Sequence, residues 1–427
     1  MASGKVARPD DVRRQNRRHV LSAVRRTGGM SRTDLVSRTG LSPSTVSAIT
    51  SALISEGVLA ERRDGEATTE AERGTGRRGR PQVILGFNPR AATIAVIVLA
   101  INSLRVALVD YAGMTIAEET MRVPTLAAAA PQLIAVVIDA LDRSMRANRT
   151  AGAHLMHIAM GVQGVTDAGG TSMLWSPIVR SRDIAFGPAL GARFGVPVTV
   201  SNDCTMIAEA LRWTDPDHYH DSFAAVLLAH GIGMGLHLKG EPFTGARSSA
   251  AEFGHMVHIP GGALCRCGKQ GCIEAYAGDY AILRAAQGLD RNALPERDVA
   301  ASDISRLAEA AREGSQAERS AFREAGSAIG FGLGRLFSIV DPMPIALVGP
   351  GAGAIDLYES EIRAAIGRAS NWEDAPAIPI RTYPDEMPLI VQGCVMTSLL
   401  YLDMEVFAPG ETVPGKVIPM AKRGAKP

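Results

Sequence analysis

Aromatic residues make up only 5 % of this 427-residue chain, and no apolar run approaches the ~20 residues that a membrane-spanning helix needs. With 46 % hydrophobic residues and abundant glycine and alanine, the composition is that of a soluble globular protein and no membrane partner is expected. The arginine-rich N-terminus has no apolar core segment, so it does not read as a secretory signal. Cysteine is sparse: five residues, three of them clustered, suit a reducing compartment, the cytoplasm, better than a disulfide framework. Net charge is also small, +1 overall, but it is unevenly spread, because residues 1–80 hold 16 Lys and Arg against 9 Asp and Glu. The remainder is therefore net acidic, and a basic leading segment on an acidic body points to a polyanionic partner for the first part. The length calls for two or three domains.

What is present is concentrated. His255, Cys265, Cys267 and Cys272 lie within one short stretch. Zinc favours four tetrahedral ligands drawn from thiolate and imidazole, and a closed Cys3His set leaves no position for a reactive water, so such a metal would be structural. Gly268 and Gly271 supply the tight turns that bring four ligands to one point. A flexible loop with incidental thiols, or a disulfide from Cys265 or Cys267 to Cys272, are the alternatives on spacing alone.

The first eighty residues read as a DNA-binding head. A basic helix from Asp10 to Arg26 stops at Thr27-Gly28-Gly29. Ser31 opens a second helix, with Asp34 three residues on to complete the cap, and Gly40 closes it. Ser42 and Pro43 start a third helix. Val46, Ile49, Leu53 and Ile54 form its buried stripe, leaving Ser44, Thr45, Ser47 and Thr50 outward. This pattern reads as a helix-turn-helix whose second member enters the major groove. Val58–Arg63 and Pro81–Leu85 can pair as a wing, and Arg77, Arg78 and Arg80 suit phosphates or a minor groove. A plain three-helix packing module with a solvated arginine loop is the competing interpretation.

Beyond the head, apolar strands are expected at Ala91 to Ala100, Leu104 to Asp110, Ile158 to Val162, Val198 to Ser201, Phe223 to Leu228, Met234 to Leu238 and Ile345 to Val348. Intervening helices, among them Ala127 to Asn148, give an α/β class. The strand ending at Ser201 runs into Asn202-Asp203, at the sheet end where α/β sites form. A carboxylate there can accept a proton from a sugar hydroxyl, but capping of the next helix is the simpler reading of these two residues alone. Glu252 and Glu274 flank the cysteine loop. A metal fixing that loop would fix both acids, and the second ring nitrogen of His255 would be free to donate to a ligand.

The stretch Glu252-Phe253-Gly254-His255, the three cysteines and Glu274 resemble the signature of the ROK family of repressors, open reading frames and sugar kinases. The resemblance covers nearly the whole chain. It implies a two-lobed, actin-like (ribonuclease H-like) ATPase fold preceded, as in the family's regulators, by a winged helix-turn-helix. It implies a head over 1–88, a first lobe over 89–205 completed by C-terminal helices at about 386–408, and a second lobe with the zinc loop over 206–385. It implies zinc on His255, Cys265, Cys267 and Cys272, and sugar contacts from Asn202, Asp203, Glu252, His255 and Glu274, which reverses the capping preference at Asp203.

Departures from the kinase pattern separate regulator from enzyme. Active members carry Asp-x-Gly-Gly-Thr between the first two strands, whereas this chain has Val98, Ala100, Ile101 and Asn102 there. The glycine loop His230–Gly235 has Ile232 in place of Thr, Pro350 interrupts Gly349-Pro350-Gly351, and Gln163 stands where the cleft loop usually has Pro. The expectation is a sugar-responsive regulator with no catalytic residues, probed against operator DNA as a homodimer or tetramer. Ser42, Ser44, Thr45 and Ser47 would contact bases, with Arg77, Arg78 and Arg80 on the backbone. The alternatives are a sugar kinase acting on a hexose or amino sugar with ATP, and a thiol redox sensor.

Overall fold

A computed structural model of the chain describes residues 9–63, 83–152, 154–245, 252–295, 299–369 and 377–408. The head contains three helices, α1 (Pro9–Thr27), α2 (Arg32–Thr39) and α3 (Pro43–Ser55). Asp10 and Asp11 sit in the first turn of α1 and Arg25 and Arg26 in its last, each facing the helix dipole with the favourable sign. Ser31 accepts the Asp34 amide at 3.2 Å and donates its hydroxyl to the Asp34 carboxylate at 2.7 Å. Gly40, with φ 69°, closes α2, and Ser42 caps α3 ahead of Pro43. Val20, Leu21, Val24, Leu35, Val46 and Leu53 are fully buried between the three helices.

One residue expected outside is inside. Thr50 is buried, because it lies one turn after Val46 on the same stripe. Its hydroxyl is satisfied by donating to the Val46 carbonyl at 2.9 Å and accepting from Arg32 Nε at 3.2 Å. The wing is a three-stranded sheet of β1 (Met30–Ser31), β3 (Val83–Phe87) and β2 (Leu59–Arg63) in that order, with Leu59 opposite Phe87 and Arg63 opposite Val83. Pro81, Gln82 and the expected DNA contacts Arg77, Arg78 and Arg80 lie outside the described residues.

The body repeats one sheet plan. In the first sheet Val198–Asn202, Leu155–Val162, Thr93–Ala100, Ser103–Asp110 and Thr115–Arg122 lie side by side, with the first two junctions parallel and the last two antiparallel. In the second, Ile380–Tyr383, Ile345–Val348, Phe223–Leu228, Ile232–Leu238 and Glu241–Pro242 follow the same sequence of parallel and antiparallel junctions. This duplication is the two-lobed, actin-like α/β architecture. Helices Asp203–Thr214 and Met387–Tyr401 pack on each other, and their buried residues share one core with Val96, Val98, Ala225 and Leu227 of the two sheets.

Met387–Phe407 spans 21 residues and is long and apolar enough to cross a membrane, which the scan for apolar runs did not anticipate. Ile390, Cys394, Leu399 and Leu402 are buried in the body, so its apolarity is used in a protein core. The last six residues, Leu402–Phe407, form a π-helical turn that receives the head. Arg25 pairs with both oxygens of Asp403 at 3.0 and 2.8 Å and donates to the Tyr111 carbonyl at 2.8 Å. The Tyr111 hydroxyl donates to the same carboxylate, and the Arg25 guanidinium lies 3.5 Å from the centre of the Phe87 ring. Arg17 bonds Glu56 and the Phe407 carbonyl.

Candidate metal centre and effector cleft

His255 ends a short 3-10 turn, Phe253–His255, and the loop that follows returns through Cys265, Cys267 and Cys272. One donor atom from each of the four lies within 4.8 Å of every other. The Cys267 and Cys272 sulfurs are 3.8 Å apart, as are Cys265 Sγ and His255 Nδ1. A tetrahedral site with zinc–sulfur bonds near 2.3 Å has edges of about 3.8 Å, so the donor set fits a metal in both chemistry and spacing. The loop geometry depends on Gly271: at φ 85°, a Cβ there would lie 1.8 Å from the Ile259 carbonyl. Burial pushes the Cys265 thiol well up and Cys272 up to about 11; a bound cation supplies the opposite bias by stabilising thiolate.

Three groups gather beside this loop. Glu274, at the start of a helical turn, is buried and accepts from Tyr280 Oη at 3.3 Å, from the Cys265 thiol at 3.5 Å and from the Ile232 amide at 3.4 Å. The Nε2 face of His255, opposite its Cys265 side, lies 3.8 Å from Glu252. Burial raises the Glu252 pKa; His255 opposes that shift and Glu274 reinforces it. Arg266, between two of the cysteines, reaches the His230 carbonyl and stacks on Tyr280 at 4.5 Å, tying the loop to the glycine segment.

The strand end Asn202-Asp203 belongs to the first sheet. Asn202 caps the helix Asp203–Thr214 by accepting the amides of Cys204 and Thr205 at 2.9 and 3.2 Å, and its Nδ2 donates to the Gly164 carbonyl at 2.9 Å. The capping role read from sequence therefore falls to Asn202. Asp203 is buried in the first helical turn, where burial pushes its carboxyl up to about 6, against the Cys204 amide and aided by Glu386. Glu252 adds to the upward shift of the Cys204 thiol, next to Asp203, which burial dominates.

The three nucleotide-loop expectations acquire physical content. Strand pairing runs as far as Ala100 opposite Ser103, leaving Ile101-Asn102 as a two-residue turn whose Asn102 amide donates to Thr125 at 3.0 Å. The Asn102 amide is thereby engaged within the fold. Gly233 and Gly235 are packing residues: a Cβ would meet Cys204 Sγ at 2.3 Å and the Cys204 carbonyl at 2.1 Å. Around Pro350 and Gly351 the cavity, lined also by Leu228, Ile329 and Tyr358, has a volume of about 20 Å³.

On the head, Ser44 and Ser47 are exposed and Thr45 is half-buried. The Ser42 hydroxyl lies 2.9 Å from Ser44 and 2.8 Å from Thr45. Sequence reasoning missed Trp175, whose ring stands 6.0 Å from that of His255, and the Arg25–Asp403 joint. A lone Trp or Arg carries no local signal for contacts made 80 and 378 residues away.

The sequence also places the protein among known ones. A winged helix-turn-helix DNA-binding family matches residues 13–60 and the ROK family matches residues 97–375. The xylose repressor of Caldicellulosiruptor bescii is 23 % identical over 92 % of this chain and 96 % of its own. A glucokinase of Streptomyces coelicolor is 29 % identical over 59 % of this chain and 82 % of its own. In structure, a ROK family transcriptional regulator described as a homologue of the E. coli MLC protein superposes with a TM-score of 0.74 at 21 % identity, covering 93 % of this chain and 99 % of that one. The cysteine loop and most strands of the two sheets lie within the residues matched, and by that match the chain belongs to the ROK family.

Proposed function

We propose that this chain is a sugar-responsive DNA-binding transcriptional regulator, of the repressor kind, for genes of carbohydrate uptake or catabolism. The observation that carries the reading is the closed Ile101-Asn102 turn in a ROK body that bears a winged head. A body whose first phosphate loop is sealed by strand pairing keeps a ligand cleft without the backbone amides that ATP transfer needs. The full-length similarity to a xylose repressor supports the same reading.

In this scheme α3 enters the major groove with Ser42, Ser44, Thr45 and Ser47 toward base edges, while Arg77, Arg78 and Arg80 contact the backbone. One head covers a half-site, so a homodimer or a pair of dimers works on a two-fold operator in the cytoplasm. A structural Zn²⁺ held by His255, Cys265, Cys267 and Cys272 fixes the loop that carries Glu252 and Glu274. Residues 1–88 act as the head, 89–205 with about 386–408 as one lobe, and 206–385 as the other.

Sugar held by Asn202, Asp203, Glu252, His255 and Glu274 bridges the lobes. The head is bolted to Tyr111 and to Leu402–Phe407, so a change in lobe angle moves the heads of a dimer relative to each other. Such a switch works only if sugar binds the two arrangements with different affinity.

Fluorescence anisotropy of the zinc-loaded protein on DNA from upstream of its own gene, titrated with sugars, tests this. Salt-sensitive binding that one sugar shifts is the expected result. ATP turnover in the presence of a hexose, without specific DNA binding, would instead establish the kinase reading that the glucokinase similarity raises.

A further inference from the structure

We propose that Trp175 is a specificity-determining wall of the effector cleft, selecting an uncharged sugar ring by stacking on its C–H face. This rests on the sugar-responsive reading above. Trp175 ends the short strand Met173–Trp175, paired with Val165. Its indole meets the His255 ring at 6.0 Å and 72°, so one residue of the first lobe touches a residue of the metal loop in the second. Its backbone packs on Gly164, the residue to which Asn202 donates. A Cβ on Gly164 would lie 2.3 Å from the Trp175 carbonyl, and the Gly164 carbonyl is the acceptor for Asn202 Nδ2 at 2.9 Å. The neighbouring Ser176 hydroxyl donates to the Gln163 carbonyl at 2.6 Å, which ties the strand end to the same turn.

A half-exposed indole between two sets of hydrogen-bonding groups is an apolar face placed where the polar groups converge, the arrangement by which a pocket orients a ligand that has both kinds of surface. A pyranose is such a ligand: its hydroxyls lie around the rim and its axial C–H bonds form an apolar face. Rings with equatorial hydroxyls present the widest C–H face to the indole. The charge of the cleft sets a second condition. In the sugar-responsive reading Asp203, Glu252 and Glu274 contact the ligand, and among the described residues no lysine or arginine forms an ion pair with any of them. A phosphorylated sugar would bring roughly two further negative charges to this site, so the neutral sugar is the preferred ligand.

The test is calorimetric titration of full-length, zinc-loaded protein with D-glucose, D-xylose, N-acetyl-D-glucosamine and glucose 6-phosphate. Wild type is compared with Trp175→Ala, Trp175→Leu and Trp175→Phe, and zinc content and the unfolding transition are recorded for each. At least one neutral sugar binds wild type, and glucose 6-phosphate binds more weakly than glucose. Trp175→Ala and Trp175→Leu weaken binding by about tenfold, whereas Trp175→Phe, which keeps an aromatic face, loses roughly twofold to threefold. Leucine fills the position without a ring, so a folded, zinc-loaded Trp175→Leu that binds as wild type overturns the inference even if the alanine variant fails to fold. Tighter binding of glucose 6-phosphate than of glucose overturns the charge argument. If none of the four sugars binds wild type, the sugar-responsive reading fails and this inference with it; if sugar binds wild type and all three variants alike, the inference alone fails.

Discussion

The head–body joint and the cleft both bury charge, on opposite plans. At the joint, Arg25 and Asp403, 4 % and 2 % exposed, face each other, while the Tyr111 carbonyl accepts from Arg25 and the Tyr111 hydroxyl donates to Asp403. Cation, anion and aromatic face close on themselves. Beside the metal loop, Glu252 and Glu274 stand with one histidine and a cluster of thiols, and at Glu252, as at the buried Asp203, burial raises the carboxyl more than its partners lower it. A closed network of charges fixes geometry; a convergent, same-sign network favours whatever brings the missing donors or cation. Position is thus settled at one end of the molecule and left responsive at the other.

The sharpest break of this contrast is Asp403→Ala, which leaves the Arg25 guanidinium buried without its counter-charge and should cost about 3–5 kcal/mol. Chemical denaturation measures it, and unchanged stability would mean the joint is not closed in solution. Next in size is metal removal. With free Zn²⁺ at about a hundred times its Kd the metal contributes roughly 2.7 kcal/mol, so chelation or Cys272→Ser should lower the thermal midpoint and abolish the sugar response, read by calorimetry and by anisotropy on DNA.

The cleft should behave the other way. Asp203→Asn removes a carboxyl that the fold holds up near 6, so at pH 7.5 it should stabilise by about 1–3 kcal/mol while the sugar response is lost. The pH dependence separates the two contributions. Asp203, with its folded pKa raised, adds stability that is complete below its unfolded value and is lost as pH rises through about 6. His157, buried between Ser398 and Thr199 and lowered to about 4 by burial, adds stability present above its ordinary 6.5 and lost as pH falls through about 4. Urea midpoints from pH 6.5 down to 4 should therefore fall more steeply in Asp203→Asn than in wild type. The smallest effect is expected for Arg18→Ala: its pair with Glu405 is 30 % and 48 % exposed, and its loss should cost under about 1 kcal/mol, which a double-mutant cycle with Glu405 resolves.

Much of this was written locally. Strands Phe223–Leu228 and Ile345–Val348 have the limits their apolar runs predict, because a strand buried on both faces leaves a continuous hydrophobic stretch. The caps at Ser31 and Ser42 were equally legible. The long helix begins at Ala130 rather than Ala127 because Pro131 fits only a first turn. The strand at Ile232–Leu238 starts two residues early for the opposite reason: Gly233 and Gly235 conceal it in sequence while allowing the helix after Asp203 to approach. The edge strand Thr115–Arg122 was invisible, since its residues are mostly exposed and carry no apolar alternation.

The metal donors were legible because ligands drawn from one loop must be close in the chain as well as in space. The sequence by itself determined the head, the donor set, the α/β class and the loss of the phosphate-loop pattern at Val98 to Asn102, all of which are written in short stretches of chain. Only the tertiary structure decided that Arg32 meets Thr50, that Trp175 faces His255, and that Arg25 finds Asp403. Each of these pairs distant residues. Burial, and the chain entropy already spent in folding the two lobes, bring such groups together with no trace in local spacing.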